Sequence, residues 1–96
     1  MAHVQMVALP GDGVGPEVTA AMRAVLEAVS RRYGHELVVE EHPVGFRAYA
    51  QQGTPMSDAA LEACRKGPAV FLGAVGDPRG DTLPAESRPE AALLRL

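Results

Sequence analysis

The sequence predicts an α/β fold whose sheet is parallel, and three observations carry that prediction. An apolar run, Val4 to Leu9, breaks into the turn Pro10-Gly11-Asp12-Gly13-Val14-Gly15 and restarts as a helix at Pro16-Glu17. Apolar residues then recur at helical spacing as far as Tyr33, and a second short apolar run begins at Leu37. Strand, helix and strand in succession make a βαβ unit. The first run does not alternate cleanly between apolar and polar, as expected of a parallel strand covered on both faces.

Each element has a local reason. In the first turn three glycines fall within five positions, which lets the backbone reach φ > 0 and lets a ligand or a neighbouring segment come close. Pro16 suits the first position of a helix, where its missing N–H costs nothing, and Glu17 meets the positive end of the helix dipole. Val18, Met22, Val25, Leu26, Val29 and Tyr33 fall within about 100° of one another at 3.6 residues per turn, so this face is expected to pack. Arg23, Glu27 and Arg31 lie opposite and are expected to be wet, with Glu27 and Arg31 in the favourable i,i+4 order. Gly34 can close the helix in the left-handed conformation.

Leu37 to Glu41 reads as the second strand, ended by His42-Pro43. Phe46 to Gln52 reads as a short helix closed at Gly53. Ser57 or Asp58 caps a further helix that runs through Lys66, with Ala60, Leu61 and Cys64 as its apolar stripe and Arg65-Lys66 at its negative end. Gly67-Pro68 stops it. Ala69 to Leu72 is a third strand, apolar throughout and so expected at the centre of the sheet. Gly73 to Ser87 is a loop rich in Gly, Pro and Asp, and Pro89 opens a last helix with Glu90 in its first turn. In open α/β sheets ligands bind at the carboxyl ends of the strands, so the loop and the glycine turn are expected to face the same side.

Composition narrows the classes of function. The chain has 96 residues, 47% of them hydrophobic, and a net charge of −3. It holds no apolar run near the eighteen or so residues that span a membrane. The start Met1-Ala-His-Val lacks the basic opening of a signal peptide, and a lone cysteine, Cys64, excludes an internal disulfide. A cytoplasmic setting, no membrane and no nucleic-acid partner are the expectations, since nine basic residues face twelve acidic ones without a cluster. His3, His35 and His42 show no spacing suited to a metal and are expected at the surface. Asp12 reads as a turn residue, Asp77 and Asp81 as loop charges, and Arg88 as an organiser of the loop.

The glycine turn is not a dinucleotide fingerprint of the G-x-G-x-x-G type. Counting from Gly11 places Pro16 at the third glycine, and counting from Gly13 places Val18 there. A phosphate loop is excluded as well, because the chain has no Lys-Ser or Lys-Thr pair. On spacing alone the turn is a strand-to-helix connection that needs glycine.

Four segments in order point to a family. They are Leu9-Pro-Gly-Asp-Gly-Val-Gly-Pro-Glu-Val18, Val44-Gly-Phe-Arg-Ala-Tyr-Ala-Gln-Gln-Gly53, Val70-Phe-Leu-Gly-Ala-Val-Gly-Asp-Pro78 and Arg88-Pro-Glu-Ala-Ala-Leu-Leu-Arg-Leu96, spread over nearly the whole length of the chain. The sequence resembles the opening of the 3-isopropylmalate dehydrogenases, which belong with isocitrate dehydrogenase to the β-hydroxyacid oxidative decarboxylases. The last segment resembles the isopropylmalate branch more than the isocitrate, homoisocitrate or tartrate branches.

The resemblance implies that residues 1–96 are the amino-terminal α/β segment of a larger dehydrogenase domain, inactive as a separate chain. It implies NAD-dependent oxidative decarboxylation of 3-isopropylmalate in leucine biosynthesis, assisted by Mg or Mn, in a full-length homodimer. Arginines that clamp the substrate, a tyrosine and a lysine that handle protons, and the aspartates that hold the metal would all lie beyond Leu96, so no catalytic residue or metal ligand is assigned. For the cofactor the resemblance implies Val14, the backbone of Gly73, Ala74, Val75 and Gly76, and Glu90. For the substrate's isopropyl group it implies Leu93, with Leu94 beside it. Read from the residues alone, Leu93 and Leu94 are equally suited to a core, Glu90 to a helix start and Val14 to turn packing. Two other functions stay open: a small α/β binding module without catalysis, and part of a dehydrogenase for another β-hydroxyacid.

Overall fold

The computed structural model describes residues 3–96. Its first unit is β1 (His3–Gly11), α1 (Gly15–Tyr33) and β2 (Glu36–Glu41), followed by α2 (Phe46–Gln52) and α3 (Asp58–Lys66). Then come β3 (Val70–Ala74), two single 3-10 turns at Pro78–Gly80 and Ala85–Ser87, and α4 (Ala91–Arg95). Among the described residues the three strands form one parallel sheet in the order β2-β1-β3. The expected elements are present, with Gly34 (φ 69°) and Gly53 (φ 78°) closing α1 and α2. Ser57 caps α3, its Oγ accepting from Ala60 N at 3.1 Å.

Two expectations are corrected. Among the described residues the central strand is β1, and β3 lies beside it on the outer side with Val70 exposed. An apolar strand that short marks burial on its faces, which a helix on either side supplies as well as a central place does. The second correction concerns α1. Its buried positions are Gly15 and Thr19, with Met22 and Leu26 half-buried, whereas Val18, Val25, Val29 and Tyr33 are exposed. The contact face thus lies about 40° round the helix from the centre of the apolar arc, at 100° per residue.

Main-chain contact and one ion pair set this rotation. A Cβ at Gly15 would sit 1.9 Å from the Pro10 carbonyl oxygen, so the opening of α1 presses directly on the end of β1. Arg23, expected in water, is half-buried and its guanidinium pairs with Glu41 on β2. Glu27 pairs back to Arg23 at 4.0 Å.

The core lies on the sheet face opposite α1. Val7 and Leu9 of β1 join Val44, Met56, Ala60 and Ala92, with Leu61, Ala63, Cys64, Leu72 and Val75 packed around them. Gly73, one residue after Leu72, faces the other way: a Cβ there would meet Pro10 O at 2.4 Å and the Thr19 hydroxyl at 2.9 Å. This alternation is the period-2 geometry of a strand. It brings α1, β1 and β3 together at the carboxyl end of the sheet.

Candidate functional site

The strand ends are joined almost wholly by main chain. Gly11 pairs with Ala74 across the sheet, and Asp12 N–H donates to Ala74 O at 2.7 Å. Gly11 holds φ +79°, and a Cβ on it would lie 1.8 Å from that same carbonyl oxygen. Of the two roles open to these glycines, contact with a neighbouring segment is the one that Gly11, Gly15 and Gly73 fill. The glycine turn and the loop after β3 do open on the same side, as the topology requires.

Asp12 ties this junction to the rest of the site. Its side chain is buried, and its Oδ2 accepts from Phe46 N at 2.9 Å and from Gly76 N at 3.1 Å, while Oδ1 accepts from Arg47 N at 3.0 Å. The reading of Asp12 as a turn residue is therefore incomplete: the carboxylate caps α2 from another element and holds the loop after β3. Its place directly after the central strand, between two glycines that leave its oxygens open to main-chain donors, is the signal for this role. Next to it, Asp77 takes a forked contact from Arg79, Nε at 3.0 Å and Nη2 at 2.6 Å, and the guanidinium lies 4.6 Å from the Phe46 ring centroid. The hydrogen bonds from Arg79 hold the Asp77 carboxyl at about 2, well below its ordinary value. They raise the Arg79 pKa in turn. Arg88 orders the loop as expected, its Nε donating to Leu83 O at 2.8 Å.

The residues singled out from the sequence fall into two groups. Gly76 and Glu90 come together: Gly76 has φ +136°, and a Cβ on it would stand 3.6 Å from Glu90 Oε1. Glu90 is exposed at the amino end of α4, which begins at Ala91 rather than at the buried Pro89. Ala74 and Gly76 already spend one main-chain group each on the fold, and Val75 packs beside the core. Val14, at the opening of α1, is 56% exposed. Leu93 and Leu94 are 42% and 90% exposed, so neither is a core residue of the described chain. His3, paired with Glu36, is exposed, but His42 is half-buried beside Glu40 because it follows directly on β2.

Cavities follow a different order. One, of about 760 Å³, lies between the middle of β1, β2 and α3, beside Lys66 and Gly67. A notch of about 300 Å³ at the carboxyl ends is lined by Asp12, Gly13, Phe46, Arg47, Asp77 and Arg79. The position of a site in this topology favours the second. Among the described residues no group of three His, Cys, Asp or Glu could hold a metal ion. No helix of the described residues is long and apolar enough to cross a membrane.

Known proteins match along the whole chain. A model of the isocitrate/isopropylmalate dehydrogenase family matches residues 5–96. A 3-isopropylmalate dehydrogenase of Synechococcus sp. (strain CC9902) is 49% identical over 96 residues, which is all of this chain and 27% of that protein. One from Nitratidesulfovibrio vulgaris is 49% identical over 94 residues, 98% of this chain and 26% of that protein. Among solved structures, a beta-decarboxylating dehydrogenase from Thermococcus kodakarensis in its apo form superposes with a TM-score of 0.72 at 30% identity, over 96% of this chain and 26% of that one. Isocitrate dehydrogenase from Methylococcus capsulatus gives 0.69 at 31% identity, over 80% of this chain and 22% of its own. The chain thus spans about a quarter of the length of the curated relatives it matches. With the family model covering nearly every residue and the same parallel α/β fold, the chain belongs to the isocitrate/isopropylmalate dehydrogenase family.

Proposed function

We propose that this chain is the amino-terminal segment of an NAD-dependent 3-isopropylmalate dehydrogenase, which oxidises and decarboxylates its substrate in leucine biosynthesis as part of a longer, homodimeric, cytoplasmic enzyme. The observation that carries the proposal is near-49% identity to proteins of that name over the full 96 residues, including Arg88 to Leu96. Exposed Leu93 and Leu94 add to it, since an apolar pair complements an alkyl substituent and not a further carboxylate.

On this reading Gly76 and Glu90 border the cofactor, the carboxylate accepting from the hydroxyls of a ribose, and Val14 with the Gly73–Ala74–Val75 backbone completes that edge. Bound NAD supplies the hydride acceptor. Leu93 and Leu94 exclude water from the isopropyl group. A divalent cation belongs to residues outside this chain.

The test is a length-restored enzyme in which residues 1–96 replace the matching first quarter of the Synechococcus relative. It is expected to reduce NAD with isopropylmalate and Mg²⁺ and to support growth of a leucine auxotroph. A higher kcat/KM with isocitrate than with isopropylmalate overturns the substrate assignment. A folded hybrid with neither activity overturns the enzyme reading and favours a binding module.

A further inference from the structure

The carboxylate of Asp12 joins elements that a simpler arrangement would leave separate. A short helix needs only a local oxygen at its amino end, yet α2 has none: its cap position is Gly45, without a side-chain hydrogen bond. The acceptor comes instead from Asp12, 34 residues away in sequence from Phe46. Gly45 makes room for it, since a Cβ there would lie 2.3 Å from Asp12 Oδ2. That oxygen also receives Gly76 N–H at 3.1 Å. One atom therefore fixes both the opening of α2 and the bend of the loop after β3, and Gly76 at that bend lies against Glu90.

We propose that Asp12 is a positioning residue for the cofactor edge, setting the gap between the Gly76 main chain and the Glu90 carboxylate without touching the cofactor itself. The inference rests on the reading of Gly76 and Glu90 given above. Removing the carboxylate frees Gly76 N–H, and the bend loses the partner that defines it. The loss falls on cofactor capture, because Leu93 and Leu94, which face the substrate on that reading, are not among the groups that donate to Asp12.

The experiment uses the length-restored enzyme with Asp12→Ala and, as a milder change that keeps one acceptor oxygen, Asp12→Asn. Amide hydrogen exchange is expected to accelerate at least tenfold at Gly76 in Asp12→Ala, with Asp12→Asn in between. KM for NAD is expected to rise about tenfold in Asp12→Ala while KM for isopropylmalate changes less than twofold. A purely stabilising role would lower the thermal midpoint and the active fraction but leave both KM values in place. Unchanged exchange at Gly76 in both variants overturns the strut. Accelerated exchange with an unchanged KM for NAD overturns its link to the cofactor. An unsubstituted hybrid that fails to bind NAD, in which Gly76 exchange still responds to Asp12→Ala, overturns the cofactor reading while supporting the strut.

Discussion

Gly15→Ala sets two effects against each other and the structure decides between them. Alanine is favoured over glycine inside a helix by about 1 kcal/mol, and less than that at the first residue of α1, where the backbone is only partly helical in its bonding. Against this gain, the new Cβ would stand 1.9 Å from Pro10 O and 3.1 Å from Ala74 N, both main-chain atoms that cannot rotate aside. Real Cβ contacts essentially never fall below 3.0 Å, so α1 must back off the strand ends by about an ångström. Overpacking of this severity costs about 3 kcal/mol, the upper end of the usual range. The net loss is about 2 kcal/mol, which for a chain of this size lowers the thermal midpoint by roughly 8–16 °C. Circular dichroism melts of the parent and Gly15→Ala chains measure it directly. An equal or higher midpoint for the variant would mean that propensity wins and that α1 is not pressed on β1 as described.

Three further outcomes are expected. Ser57→Ala removes the acceptor for Ala60 N and should cost about 1 kcal/mol; a denaturant midpoint that does not move would show α3 to be capped otherwise. Asp77, held at about 2 by Arg79, has a folded pKa below its unfolded value. Its contribution is therefore complete above the unfolded value of about 3.9 and fades as pH falls towards 2. An NMR titration should show the Arg79–Phe46 contact unchanged from pH 8 to 5 and loosening below pH 4, and Asp77→Asn should abolish that dependence; loosening near pH 6 would contradict it. Burial, with a smaller push from Glu40, raises the Cys64 thiol pKa, so alkylation by iodoacetamide at pH 8 should be slower than that of an unfolded control peptide. Equal rates would show the thiol to be freely ionising.

The secondary structure was legible because its punctuation is chemical. Gly34, Gly53, Ser57 and Gly67-Pro68 mark ends that depend on local backbone geometry, and each element stops where those residues stop it. Strand order was not legible in the same way. Val70 to Leu72 carries the apolar signature of burial, but which strand stands beside which depends on contacts far apart in sequence. The rotation of α1 escaped for a related reason. The arc from Val18 to Tyr33 records where apolar groups lie on the helix, whereas the contact face follows from Gly15 meeting Pro10 and Arg23 meeting Glu41. At the site, the resemblance supplied Gly76 and Glu90, which the fold does bring together. It passed over Asp12, whose three partners are main-chain amides and leave no side-chain pattern to read.

The meeting of β1, α1 and β3 has a consequence for how such a protein changes over generations. Where Gly11, Gly15 and Gly73 lie against carbonyl groups, there is no side chain to exchange, and any replacement adds atoms to a place without room. Substitutions are expected to be tolerated more readily where side chains are exposed. Glu90, Leu93 and Leu94 are such positions, all exposed along one short helix. The outer surface of α4 can then change while the frame that presents it stays fixed, so variation of surface and preservation of architecture fall in separate parts of the same 96 residues.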